Sequence, residues 1–274
     1  MKTYIFIFMV VLFFSACSSK IPTLEDRKNI AFSLINDKSV VQKDIKTDNF
    51  TLFSFQKVSN ECKNSIKIYI EGDGLSWISR NVISSNPTPI NPTSIKLMLL
   101  DDSSCKIYIA RPCQYTTSNI CEEKYWTSHR FNSKIIDSFN EALDSLKKEY
   151  SNSSFDLIGY SGGGAIVTLL ASQRNDINSI TTIAGNLDIE KWANIQKIST
   201  LSGSLNPADF TKNLENIKQH HLIGKDDKII PKEIFFSYQN RFKNKEFITY
   251  SIEKATHNCC WEEIYKDYLL KNKN

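Results

Sequence analysis

Phe155-Asp156-Leu157-Ile158-Gly159-Tyr160-Ser161-Gly162-Gly163-Gly164-Ala165-Ile166-Val167-Thr168-Leu169-Leu170-Ala171 is the stretch that decides the architecture. An apolar run ends at Ile158. Gly-x-Ser-x-Gly follows at Gly159, Ser161 and Gly163, and an apolar, helix-compatible run begins at once. Strand, sharp turn and helix form the context in which this spacing means an exposed serine, because the turn strains the serine backbone and lifts its Oγ above the sheet. The flanking glycines are expected where a Cβ would collide with the strand or the helix. The helix starts under Ser161, so its free N–H groups and positive dipole end face any oxyanion that forms there.

Short apolar runs and helix-period segments alternate on both sides of this stretch. Before it, Phe50–Phe55 reads as an edge strand, 66–70 and 106–110 as strands, and 95–100 as a short helix. Ile135, Ile136, Phe139, Leu143 and Leu146 recur at helical spacing from Ser133. Thr23 reads as the cap of a helix running to about residue 37. Pro87, Pro89 and Pro92 make 81–94 an irregular loop. The Cys-, Tyr- and Trp-rich loop 111–130 is expected to lie over the site. After the elbow, 179–184, 219–223 and 247–252 read as strands, 185–210 as mostly loop with short helical pieces, and 231–242 and 260–270 as helices. The alternation predicts an α/β fold with a mostly parallel central sheet and helices on both faces. Its single domain is expected over 49–274.

The chain has 274 residues, 41% hydrophobic and 23% charged, with a formal net charge of +4. That suffices for one large core. Lysines and acids interleave without a basic block, which speaks against a nucleic-acid partner. Lys2 and the apolar run from Tyr4 to Phe14 have the form of a signal segment over 1–16. Ser15-Ala16-Cys17 then resembles a bacterial lipoprotein signal, with Phe14 where such signals usually carry Leu. On that reading Cys17 is lipidated, 17–48 forms a tether and N-terminal helix, and the protein is anchored in the cell envelope. An ordinary secretory signal cut near Ala16 is the alternative. Ser18 after the cysteine points towards the outer membrane.

Six cysteines remain beyond Cys17, and an exported chain can hold them as disulfides. Cys62 and Cys105 each precede a predicted strand and lie side by side if those strands are parallel neighbours. Cys113 and Cys121 bracket a short loop. Cys259 and Cys260 are then vicinal or free.

A serine nucleophile needs a base, and the base needs a carboxylate to fix its tautomer. In the chain order serine, acid, histidine, only His257 of the four histidines follows both partners. The acid is Asp226 or Asp227, each at the end of a strand. The spacing Gly224-x-x-Asp227-x-x-x-Pro231 favours Asp227. Two oxyanion donors are also needed. One is expected from the Gly162 N–H and the other from the loop after 66–70, where Asp73 N–H is the first candidate and Gly74 N–H the second. Gly72-Asp73-Gly74 resembles a His-Gly-x-Gly loop with Glu71 in place of His, and the Asp73 side chain is expected to point away from the oxyanion.

Tyr69-Ile-Glu-Gly-Asp-Gly-Leu75, Ala110-Arg-Pro-Cys-Gln-Tyr115, Tyr125-Trp126, Gly159-Tyr-Ser-Gly-Gly-Gly164, Ala184-Gly-Asn-Leu-Asp188, Ser202-Gly-Ser-Leu-Asn-Pro207 and Gly224-x-x-Asp227 together resemble a family of exported bacterial α/β-hydrolase-fold lipoproteins. The resemblance covers about 65–261. It implies the fold, the triad and a hydrolase. The triad itself points to a serine hydrolase acting on a small ester or acyl substrate, with no metal or organic cofactor. The absence of a long apolar lid helix favours short or medium acyl groups, and the protein is expected to be a monomer. Acyl transfer or amide cleavage uses the same parts, and a catalytically inactive binding protein on the same fold is the reading from another class.

Other residues attract attention. Asn186 and Asp188 line a pocket or cap the next helix. Arg80 and Arg111 bind an acidic group or form surface ion pairs, the second being favoured. His129 reads as structural, and His220 and His221 sit on a strand without a ligand cluster.

Overall fold

The computed structural model describes residues 21–272; the signal and lipidation readings at 1–17 lie outside them. Thr23 opens α1 (Leu24–Ser33) with a capping box. Its hydroxyl accepts from the Asp26 N–H, and its own N–H donates to the Asp26 carboxylate. The helix ends short of the expected residue 37. Two antiparallel strands follow, β1 (Val41–Lys46) and β2 (Thr51–Lys57). β1 falls in the segment read as tether and helix, so the sheet starts before residue 49. Its sequence, VQKDIK, buries only Ile45, so this polar edge strand has no apolar alternation to reveal it.

β3 (Ser65–Ile70) leads into the loop at Glu71 and then a two-stranded ribbon, β4 (Trp77–Ser79) and β5 (Val82–Ile83). The ribbon and α2 (Thr93–Leu100) flank the proline-rich loop. β6 (Lys106–Ile109), α3 (Ser133–Tyr150), β7 (Ser154–Tyr160) and α4 (Gly162–Ala171) complete the elbow half. β8 (Ile177–Ile183), α5 (Ile189–Gln196), β9 (Lys218–Gly224), α6 (Lys232–Gln239), β10 (Ile248–Glu253) and α7 (Trp261–Lys271) form the second half.

The central sheet has eight strands in the order β1-β2-β6-β3-β7-β8-β9-β10. Every pair from β6 to β10 along that order is parallel, and only β2 runs against the rest. Side-chain alternation divides the core into two layers. On β3, Ile66, Ile68 and Ile70 enter the layer that holds Phe139 of α3 and Ile166 of α4. Tyr69 enters the opposite layer, with Met98 of α2 and Tyr265 of α7. α1 joins this second layer through Ala31, so the N-terminal helix packs on the sheet.

Among the described residues there are three disulfides: Cys62–Cys105, Cys113–Cys121 and the vicinal Cys259–Cys260. The parallel register Lys67↔Lys106 brings Cys62 and Cys105 to a Cα separation of 5.5 Å.

Candidate active site

β7 ends at Tyr160 and α4 begins at Gly162, so the whole turn falls on Ser161, at φ 52° and ψ −117°. That strained backbone presents its hydroxyl above the carboxyl edge of the parallel strands. Gly159 permits the tight approach, since a Cβ there would stand 2.3 Å from the Gly163 carbonyl oxygen.

The loops after β9 and β10 carry the two partners. Ser161 Oγ lies 3.0 Å from His257 Nε2, and His257 Nδ1 lies 2.8 Å from Asp227 Oδ2. Asp227 Oδ1 accepts from the N–H groups of Ile229 and Ile230, both at 2.8 Å. Both oxygens of this buried carboxylate are therefore used, and its direction is fixed. Asp226 is exposed and outside this chain of bonds.

Sequence reasoning missed what holds the histidine loop. Tyr160 Oη and Trp261 Nε1 both donate to the His257 carbonyl, at 2.7 and 2.9 Å. Tyr160 stood in the elbow as its variable position, and only the three-dimensional approach of β7 to the 257–261 loop reveals its role.

The Gly162 and Asp73 N–H groups have no acceptor among the described residues. The Asp73 side chain corrects an expectation: it points inward, so that a Cβ on Gly162 would fall 2.1 Å from Asp73 Oδ1. Arg111 Nη1 donates to Oδ1 and Arg130 Nη1 to Oδ2, each at 2.7 Å. Burial alone would raise the Asp73 carboxyl, but the charges of Arg130 and Arg111 outweigh it and hold it below the usual range. One carboxylate between two guanidiniums leaves the neighbourhood of the α4 N-terminus positive rather than repulsive to an oxyanion. Arg111 is accordingly in a buried pair, not the surface pair favoured from sequence. Arg130, at the end of the aromatic loop, was not singled out at all.

Glu71 is buried beside this arrangement with no cation on it. It accepts from Gly72 N–H at 2.9 Å and Tyr108 Oη at 3.2 Å. Burial pushes its carboxyl up to about 7 despite those bonds.

These groups open into a cleft of about 1190 Å³. Asn186 lines it, with a buried Oδ1 that has no partner. Asp188 instead caps α5 through the Lys191 N–H and accepts from Ser237 Oγ, so the pair divides between pocket and cap. Arg80 lines the cleft, with no ion pair among the described residues. His129 packs on Gly203. His221 is buried against Thr182 Oγ1 at 2.7 Å, with burial pushing it down to about 3, and His220 stacks on Tyr268. Among the described residues no group of three or more His, Cys, Asp or Glu is placed to hold a metal ion.

Residues 83–254 match the family model described as Serine hydrolase (FSH1). No curated protein matches the chain. Among solved structures, the fold resembles an esterase of Pyrococcus furiosus, at 14% identity over 85% of this chain and 88% of that one, with a TM-score of 0.56. It also resembles Est1E from Butyrivibrio proteoclasticus, at 14% identity over 84% and 96% with a TM-score of 0.58. A naproxen esterase from Bacillus subtilis aligns over 92% and 97% at 10% identity, with a TM-score of 0.61. At such identities the likeness establishes the α/β-hydrolase fold, in agreement with the mostly parallel sheet and the elbow.

Proposed function

The chain belongs to the serine hydrolase (FSH1) family, and on that premise we propose that it hydrolyses carboxylic esters in the cell envelope through Ser161, His257 and Asp227. The observation that carries this reading is the continuous path from Ser161 Oγ through both nitrogens of His257 to a buried, fully bonded carboxylate. Two of the structural neighbours named above, from Pyrococcus furiosus and Bacillus subtilis, are esterases, which supports the substrate class.

Ser161 Oγ attacks the ester carbonyl as His257 Nε2 takes its proton. Asp227 holds Nδ1–H and stabilises the imidazolium. The N–H groups of Gly162 and Asp73 receive the oxyanion, and the positive end of α4 and the paired arginines favour the charge. His257 then returns the proton to the departing alcohol as the ester C–O bond breaks. Water, deprotonated by the same histidine, cleaves the acyl-enzyme and frees the acid. No step uses a metal or an organic cofactor.

Ser161→Ala is expected to lower turnover by about 10⁴–10⁶ and to abolish labelling by a fluorophosphonate. Labelling that persists in the variant removes Ser161 from the mechanism. Lipidation at Cys17, proposed from the sequence of residues 1–17, is tested separately. Cys17→Ser should abolish incorporation of labelled palmitate; labelling that persists would overturn the reading.

A further inference from the structure

The ribbon of β4 and β5 stands beside the cleft, with Ile83 packed on the core and its other apolar side chains largely uncovered. Trp77, Ile78 and Val82 are 41%, 46% and 50% exposed. A two-stranded ribbon of this size gains nothing from showing water three large apolar side chains. From two other segments, Ile198 and Ile229 line the same cleft and are 41% and 48% exposed. The mouth is thus ringed by apolar side chains from three separate segments.

The charges of this rim have one sign. Of the charged side chains lining the cleft, Glu71 and Arg130 are buried and Asp73 is locked between two arginines. The exposed ones are Arg80 and Lys197, neither of which has an ion-pair partner among the described residues. Apolar side chains interspersed with unpaired cations, with Trp at the boundary, match the interfacial zone of an anionic bilayer. Among the described residues no helix is long and apolar enough to cross a membrane, so the fit is to the surface.

The start of the fold lies on the same side. Arg27, in the first turns of α1, donates to the carbonyls of Asn86 and Thr88, directly before the cleft-lining Pro89 and Ile90. A lipid on Cys17 would hold Thr23 within about 20 Å of the membrane, the reach of so short a segment fully extended.

We propose that this rim is a lipid-docking surface, and that the ester cleaved at Ser161 is an acyl lipid drawn from the bilayer it touches. The inference rests on the ester-hydrolase reading above and adds where the substrate comes from. The cleft is larger than the usual small-ligand site, as an acyl chain with its headgroup requires.

The test uses the mature chain from residue 17 carrying Cys17→Ser, so that no attached lipid masks the protein's own affinity. All of the sheet and both core layers lie within residues 21–272, and this chain retains them. It is floated with phosphatidylcholine vesicles with and without phosphatidylglycerol, beside an Ile78→Ser/Val82→Ser variant. Neither of those side chains lines the cleft. The parent should float, more strongly with phosphatidylglycerol, and the double variant should bind about tenfold more weakly. Its turnover of a soluble short-chain ester should be unchanged, which also reports that it is folded. Ile198→Ser, from another segment of the rim, serves as the second variant and should also weaken flotation.

A parent that labels with fluorophosphonate but floats with neither vesicle overturns the docking proposal and leaves the hydrolase reading intact. Failure to label, whatever the flotation, strikes the hydrolase reading instead. A dimer in solution that Ile78→Ser/Val82→Ser dissolves, with no flotation, makes a second copy the occupant and also overturns it.

Discussion

The two walls of the cleft are built on different physical principles. On one, Ser161, His257 and Asp227 form a chain of hydrogen bonds whose last carboxylate is satisfied by two backbone N–H groups. On the other, Glu71 and Asp73 stand two residues apart on one loop and are treated oppositely. Asp73 receives two guanidiniums and stays below the usual carboxylate range, whereas Glu71 receives none and is pushed up to about 7. The first wall joins three fixed residue types, brought together by loops that all leave the same edge of the sheet. The second depends on cations delivered by a distant loop, so its charges are conditional on the rest of the fold.

The largest expected effect breaks the first wall. Asp227→Asn keeps an acceptor for the two backbone N–H groups but offers His257 the wrong partner, so kcat on a soluble ester should fall by about 10⁴. A loss below tenfold would mean that the carboxylate does not orient the base. Next comes the conditional wall. Arg111→Ala leaves Asp73 with one of its two cations in a buried place and should cost about 3–5 kcal/mol in urea unfolding. Adding Asp73→Asn should recover part of that loss; no recovery would locate the cost in packing against Phe131 instead.

Glu71 gives a smaller, pH-dependent effect. The unfolded chain loses this proton near 4.5 and the folded chain near 7, so the native state binds more protons between those values. Stability should therefore fall as pH rises from about 4.5 to about 7 and change no further from this group above that. Glu71→Gln should remove the slope and add on the order of 3 kcal/mol at pH 8, where melting curves would be compared with those at pH 4.5. A parallel pair of pH profiles would contradict the assignment. The smallest effect is that of Tyr160→Phe, which loses one of two donors to the His257 carbonyl and should cost about 1 kcal/mol.

Legibility in the sequence divides along the same line. The elbow could be read because nucleophile, acid and base must occur as fixed residue types in a fixed order, and because β7 and α4 are apolar enough to announce themselves. The mostly parallel sheet followed from βα alternation, whereas the strand order appeared only in the fold. β1 could not be read, because an edge strand with one buried residue has no hydrophobic period. The β4–β5 ribbon was hidden because short exposed strands resemble loop. The direction of the Asp73 side chain was read wrongly because its partners, Arg111 and Arg130, approach only when the loop between them has closed, with Cys113 joined to Cys121 inside it.

Tyr160 adjoins Ser161 in the chain and grips the loop that carries His257. When the end of β7 shifts, nucleophile and base shift together, so thermal drift enters as common-mode displacement and cancels from the 3.0 Å gap between them. The reacting pair shares a single mechanical reference, and alignment survives motions that would misalign two independently mounted groups.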